Sequence, residues 1–400
     1  MKRFISTQNL ILIFGIAASS SAAIAEGTSN NYFQNDGWKR VFEQEAQNGR
    51  VSDKEILGQK IFFDQRLSST GTQSCASCHT PSAAFSDPTH SLPTSKGAVA
   101  GRFGGRNAPT AMYMKFSPPF AKYKEEGENE MIYMGGQFWD GRASSLEDQA
   151  KGPFLNPAEM NNADAKAVIS KIASGPYAED FKKVYGQNSL DNTDQAYNNV
   201  ADAIASFERT KVFAPFTSKY DYYLAGKTQL SEQELRGLKI YNDPKKANCV
   251  ACHNSLVGSK GEAPLFTDFS YDNIGLPRNP EIFNGIKDIG LQQTTKSSSE
   301  RGLYKVPTLR NIAITSPYMH NGYFKTLRGV IDFYSSRDVK PKCKSKLVSE
   351  DVALKNNCWP VAEITTNVNR EELGKLKLTN IEMSDLESFL QTLTDGYQLQ

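Results

Sequence analysis

Two five-residue stretches carry the chemistry of this 400-residue chain, Cys75-Ala-Ser-Cys78-His79 and Cys249-Val-Ala-Cys252-His253. Two thiols three positions apart lie along one side of a helical turn, and the following histidine turns its imidazole toward the same space. That pattern is the attachment signature of a c-type haem, in which both thiols bond to the porphyrin and the histidine ligates the iron. With six cysteines and four histidines in the chain, one chance CxxCH is expected in about one such sequence in a thousand, so two by chance are negligible. A zinc ribbon needs its CxxC pairs roughly 15 to 20 residues apart, whereas most of the chain separates these. A disulfide within either pair would leave both histidines unexplained. The expectation is two covalent haem c groups on Cys75, Cys78, Cys249 and Cys252, with His79 and His253 as proximal iron ligands.

Only His90 and His320 remain as possible histidine ligands on the far sides of the irons. An electron carrier closes both irons, usually with His or Met, whereas a catalyst leaves one position open to substrate. His90 lies on a Pro-containing loop and reads as an exposed loop residue. His320 reads as structural or as a partner of a haem propionate.

The elements that must position these groups occur twice. EILGQKIFFDQRLSSTGTQSCASCH (55–79) and ELRGLKIYNDPKKANCVACH (234–253) each run a Gly-x-Lys-Ile-aromatic helix into a haem motif. Each module closes with a helix. In the first, Val200, Ile204, Phe207 and Val212 recur near helical spacing; in the second, Leu386, Phe389, Leu390 and Leu393 do so after a Thr379/Asn380 start, with Gly396 as a stop. The fold class is therefore mainly α, with two tandem cytochrome c-like domains. Strand signals are scarce, and the Gly, Pro, Asn and Ser-rich intervals 86–136 and 254–302 read as ordered loops.

The first 25 residues read as a signal peptide cleaved after Ala25: Lys2 and Arg3, the apolar run LILIFGIAA, then small residues. The apolar run is too short to span a bilayer, and no later stretch approaches 18 apolar residues, so the expectation is a periplasmic protein that is not integral to a membrane. The chain then divides into 26–220 and 221–400, with a polar insertion at 337–378. Removing the two positive charges of the leader takes the formal net charge from +2 to about zero; nothing suggests nucleic acid. Cys343 and Cys358, in the insertion, read as a disulfide closing that loop.

GGRNAPT (104–110), GQFWDGRASSLEDQAKGPFLNPAEM (136–160) and KVPTLRNIAITSPYMHNG (305–322), with two CxxCH motifs in the same order, resemble the bacterial di-haem cytochrome c peroxidase and MauG superfamily over nearly the whole mature chain. The resemblance implies a peroxide-reacting N-terminal haem and an electron-transferring C-terminal haem. It further implies that Trp139 lies between the haems, that Gln149 belongs to the distal pocket and that Glu159 is the catalytic carboxylate. A carboxylate in a dry pocket suits peroxide cleavage, because it can take a proton from one oxygen and return it to the other. The family also implies a calcium ion at the Asn107 side chain and the backbone carbonyls of Thr315 and Pro317, whose hard oxygens suit that ion.

Two departures from the family pattern bear on mechanism. Many of these peroxidases plug the resting peroxidatic iron with a loop histidine, and that position here is Ala98. At the second haem the usual methionine position, fourteen residues after His320, is Tyr334, as in MauG; no methionine lies between 320 and 382. A phenolate is a hard anionic donor that favours oxidised iron. An open first site and a tyrosine-ligated second site suggest that the diferric protein reacts with peroxide without prior reduction.

The leading expectation is a periplasmic enzyme that reduces hydrogen peroxide with electrons from a small cytochrome c or cupredoxin. The first alternative is a MauG-like enzyme oxidising Trp or Tyr of a protein substrate. MauG's electron-hopping tryptophan aligns with Ala247, which favours the peroxidase. A pure di-haem electron carrier is the second alternative, and the shortage of His and Met ligands opposes it.

Overall fold

A computed structural model describes residues 32–124, 130–282 and 287–399. The predicted signal peptide lies outside the described residues.

The described chain is mainly helical. In order it forms α1 (Gly37–Gln47), α2 (Asp53–Phe62), α3 (Cys75–Cys78), strands β1 (Ala121–Lys124) and β2 (Met131–Met134), then α4 (Leu146–Leu155), α5 (Ala165–Ala173), α6 (Ala178–Tyr185) and α7 (Thr193–Glu208). The second half forms α8 (Lys219–Leu224), α9 (Glu232–Asn242), β3 (Tyr271–Asp272), α10 (Gln292–Thr295), β4 (Tyr304–Lys305), α11 (Leu327–Ser336), α12 (Glu350–Lys355) and α13 (Asn380–Gln391). The strands pair as two antiparallel two-stranded sheets, β1 with β2 and β3 with β4. The hairpin falls inside the interval read as loop. Its strands are four residues each with no fully buried position, too short for a clear period-2 pattern.

Each haem motif is approached by a helix with the same start. Ser52 and Glu55 form a capping box on α2, and Ser231 and Glu234 form one on α9, so two orphan amides at each N-terminus are satisfied. Thr379 and Glu382 repeat the device on α13.

The two helix pairs cross through glycine. A Cβ at Gly58 of α2 would collide with the Ala203 carbonyl and Phe207 of α7, and one at Gly237 of α9 with the Asp385 carbonyl and Phe389 of α13. The glycine of the repeated Gly-x-Lys-Ile motif is thus the point where the closing helix lies backbone to backbone on the helix before the haem.

One apolar cluster runs from Tyr32 to Ala214 and includes Phe62, Phe85, Phe207 and Phe213; a second runs from Tyr220 to Leu393 and includes Tyr241, Phe266, Phe333, Trp359 and Phe389. Between them Arg310, fully buried, donates to both oxygens of Asp221 (2.9 and 2.8 Å) and lies over the rings of Tyr113 and Phe216. Tyr113 and Asn311 both donate to Asp395, which also receives the Thr217 amide. Cys343 and Cys358 are bonded, enclosing α12, and the adjacent buried Trp359 packs against Phe324 and against Phe333 of α11, the helix that carries Tyr334.

Candidate active site

Both CxxCH motifs open onto one cavity of about 850 Å³, whose wall also includes Trp139, Gln149, Glu159, Tyr334, Asn107, Thr315, Pro317 and His320. Every predicted site residue outside the disulfide therefore faces the same space.

The two motifs are built alike. The His79 Nδ1 hydrogen-bonds the Phe85 carbonyl (3.0 Å) and the His253 Nδ1 the Phe266 carbonyl (2.8 Å). A ring held at Nδ1 keeps Nε2 for a metal, with the backbone contact fixing tautomer and orientation. Burial pushes both imidazoles down, His253 to about 4, so they stay neutral as ligation requires. None of the four cysteines is in a disulfide, and burial pushes Cys78 up to about 11 and Cys249 to about 12. Neutral, undisulfided cysteines beside an oriented imidazole, twice, on an enclosed mostly apolar wall, fit two covalent haems.

On the first side, α4 carries Gln149 and ends before the turn that holds Glu159. Asn156 caps that turn: its Oδ1 accepts the Ala158 amide and its Nδ2 donates to the Glu159 carboxylate (2.8 Å). Burial raises the Glu159 carboxyl, while Arg142 and Asn156 oppose the rise. Arg142 stacks on Phe138 at 3.5 Å and is bound to Asp140. The Ala98 amide donates to the Glu159 carbonyl (2.7 Å), so the backbone at the position where the family's loop histidine aligns is tied to the backbone of Glu159. His90 is exposed and hydrogen-bonded to Ser316.

Between the motifs, Trp139 donates through Nε1 to the Asn107 carbonyl (2.9 Å) and meets the His320 ring edge-on at 6.5 Å. His320 stacks on Tyr304 at 3.5 Å, and its Nε2 is buried without a protein partner; burial holds it near 3. An orphaned, neutral Nε2 facing the cavity suits a hydrogen bond to a haem substituent. The Asn107 amide nitrogen is engaged with the Pro93 carbonyl (3.2 Å), which leaves its side-chain oxygen as the donor atom available to a cation. Three neutral oxygens make a thin set for calcium, which takes six to eight.

On the second side, Tyr334 projects from α11. It is enclosed by protein yet presents part of its surface to the cavity. Burial raises its phenol, with Cys252 and Cys249 adding to the rise and Arg337 opposing it, so the ring lies in the electrostatic reach of the second haem-anchoring pair. Sequence reasoning missed Glu208, a buried acid on the cavity wall. The available signal was a carboxylate immediately after Phe207 on an otherwise apolar helix face. It also missed Lys305, fully buried, donating to the Gly136 carbonyl (2.6 Å) and pushed down to about 7 by burial.

The family model "Di-haem cytochrome c peroxidase" matches residues 52–229. Methylamine utilization protein MauG of Paracoccus denitrificans (strain Pd 1222) is 36% identical over 366 residues, covering 88% of this chain and 91% of that protein. Cytochrome c551 peroxidase of Nitrosomonas europaea is 35% identical, covering 76% of this chain and 78% of that protein. Among solved structures, the diheme peroxidase BthA of Burkholderia thailandensis E264 is similar with a TM-score of 0.73 at 32% identity, covering 87% of each chain.

Proposed function

The chain belongs to the di-haem cytochrome c peroxidase and MauG family of oxidoreductases, and from that premise we propose that it is a periplasmic enzyme reducing hydrogen peroxide to two waters with two electrons and two protons. A small cytochrome c or cupredoxin supplies the electrons. The observation that carries this reading is the cavity: both CxxCH motifs reach it, and Gln149, Glu159, Tyr334 and Trp139 all line it.

The architecture proposed is two cytochrome c-like domains, 26–220 and 221–400, each with one haem, the second carrying the 337–378 insertion. Bound haem supplies the iron redox chemistry. The chain's own groups orient the substrate and move protons. His79 and His253, each held by a backbone carbonyl, would ligate the irons of the two haems, and Tyr334 would be a further ligand at the second site. The Gln149 amide holds peroxide by hydrogen bonding without competing for its protons. Glu159, raised by burial and steadied by Asn156, accepts a proton from one peroxide oxygen and returns it to the other. Trp139 offers an oxidisable ring along the route by which electrons reach the first site. With Ala98 beside Glu159 in place of a ligand, the first site needs no reductive opening. Asn107, Thr315 and Pro317 would supply only three of the six to eight oxygens that a calcium ion takes.

The second reading, oxidation of Trp or Tyr on a protein substrate, is favoured by Tyr334 and the MauG relative. Ala247, buried in the second cluster, opposes it by removing the surface-directed tryptophan. Excess peroxide added to the diferric protein with a reduced small cytochrome, beside a stoichiometric addition without the cytochrome, separates the readings. Rapid multiple turnover with cytochrome oxidation supports the peroxidase. A long-lived oxidised state that ignores the cytochrome supports the protein-modifying enzyme, and spectral inertness until pre-reduction defeats the open-site mechanism.

A further inference from the structure

The two haem modules provide an internal comparison. Gly58 meets Ala203 and Phe207 as Gly237 meets Asp385 and Phe389, which sets α7 and α13 in matching positions over their haem motifs. The match continues: Thr210 Oγ1 donates to the Phe207 carbonyl (2.7 Å), and Thr392 Oγ1 to the Phe389 carbonyl (2.6 Å). The residue after each phenylalanine is 7% exposed and lines the cavity. In the second module it is Leu390; in the first it is Glu208. An apolar wall position has thus become a carboxyl in one module only.

Glu208 has no hydrogen bond to any described side chain or amide, so no hydrogen bond compensates its burial, which is costly for an ionised carboxylate. The charges acting on it are few. Arg209, the next residue, favours ionisation but is bound to Glu147 of α4 (2.6 Å), and Glu147 itself opposes ionisation. From α3 the facing titratable group is Cys75, which has no proton to exchange once bonded to haem. α2 and α5 contribute no charge that acts on it; Lys54 of α2 is spent on Asp202.

We propose that Glu208 is a proton-coupling residue for the first haem: where it is ionised in the oxidised protein, its carboxylate takes up one proton from solvent with the electron delivered there by a reduced donor, and releases it when that electron leaves. Leu390 denies the second site this coupling. The added electron repels the carboxylate across a low-dielectric wall, so reduction and protonation support each other. Burial already places the acid near neutrality, at about 8. The inference rests on haem attachment at Cys75 and Cys78, and not on the identity of the oxidised substrate.

The test is redox potentiometry of the holoprotein, followed by visible absorption across about pH 6 to 10 without peroxide. The first-haem wave is the one lost in the Cys75→Ala/Cys78→Ala variant. Above about pH 8 its potential should fall with rising pH by up to about 59 mV per pH unit, the one-electron equivalent of a tenfold change in proton activity, and it should level out below. In both Glu208→Gln and Glu208→Leu that slope should be at least halved, with the second-haem wave unmoved as control. An unaltered slope in Glu208→Gln overturns the proposal, as does flattening in Glu208→Leu alone, which reports packing. Absence of a first wave in the unaltered protein overturns the attachment reading, and the proposal with it.

Discussion

Glu159 and Glu208 show how position divides the work of two buried carboxyls. Glu159 is held by Asn156 and lies within the field of Arg142, so it can carry charge for part of a catalytic cycle; Glu208 has only the already bound Arg209. Replacing Glu159 by Gln keeps shape and removes proton transfer. Peroxide turnover should drop about 10²- to 10⁴-fold, the usual contribution of a positioned acid–base group, while the resting absorption spectrum is unchanged; stopped-flow consumption of peroxide checks this. Glu208 makes a separate prediction about stability. Between its ordinary 4.5 and about 8 the folded state holds a proton that the unfolded state has lost. The unfolded state therefore binds fewer protons, and Glu208's contribution to stability falls as pH rises through that window. Chemical denaturation at the two ends of the window should show a smaller loss for Glu208→Gln than for the unaltered protein.

At the level of elements, the repeated module depends on two glycines at helix crossings. Gly58→Ala and Gly237→Ala each force a methyl into the carbonyl of the partner helix, where the backbone cannot yield as a side-chain tip would. Each should lower stability by about 1–3 kcal/mol, measured by denaturant midpoint at constant slope. Because α7 and α13 carry the cavity-lining Glu208 and Leu390, both variants should also shift the haem absorption of their own module only. The Gly-x-Lys-Ile-aromatic repeat was visible in the sequence because periodicity and a small residue recur together. The β1–β2 hairpin was not visible, since four-residue, half-exposed strands carry no distinctive alternation. The insertion at 337–378 shows the same limit: its two cysteines were legible, whereas the packing of Trp359 beneath α11 depends on contacts far apart in the chain.

For the whole molecule, the joint between the two clusters is polar. Arg310 is fully buried, pairs with Asp221, and stacks on Tyr113 and Phe216; Asp395 gathers Tyr113, Asn311 and Thr217. Arg310→Met leaves Asp221 uncompensated and should cost about 3–5 kcal/mol. The double variant Arg310→Met/Asp221→Leu should recover much of that loss, because replacing both partners removes the orphaned charge. Calorimetry of the haem-loaded proteins would distinguish the two outcomes. Should the single variant melt like the unaltered protein, this joint does not bear on stability. Among the described residues no helix is long and apolar enough to cross a membrane.

The amino-acid sequence by itself determined the attachment signature: CxxCH needs only local spacing, so Cys75, Cys78, His79 and their counterparts at 249 to 253 could be read without a fold. Family motifs pointed to Trp139, Gln149, Glu159 and Tyr334, which all line the cavity with them. What only the tertiary structure decided is how the sites share a space and differ within it. The single cavity, the carbonyl holds on His79 and His253, the orphaned Nε2 of His320 and the isolation of Glu208 all join residues tens to hundreds of positions apart, or register what fails to approach. Local periodicity holds no record of those distances, and a carboxylate's role depends on which charges packing brings near it.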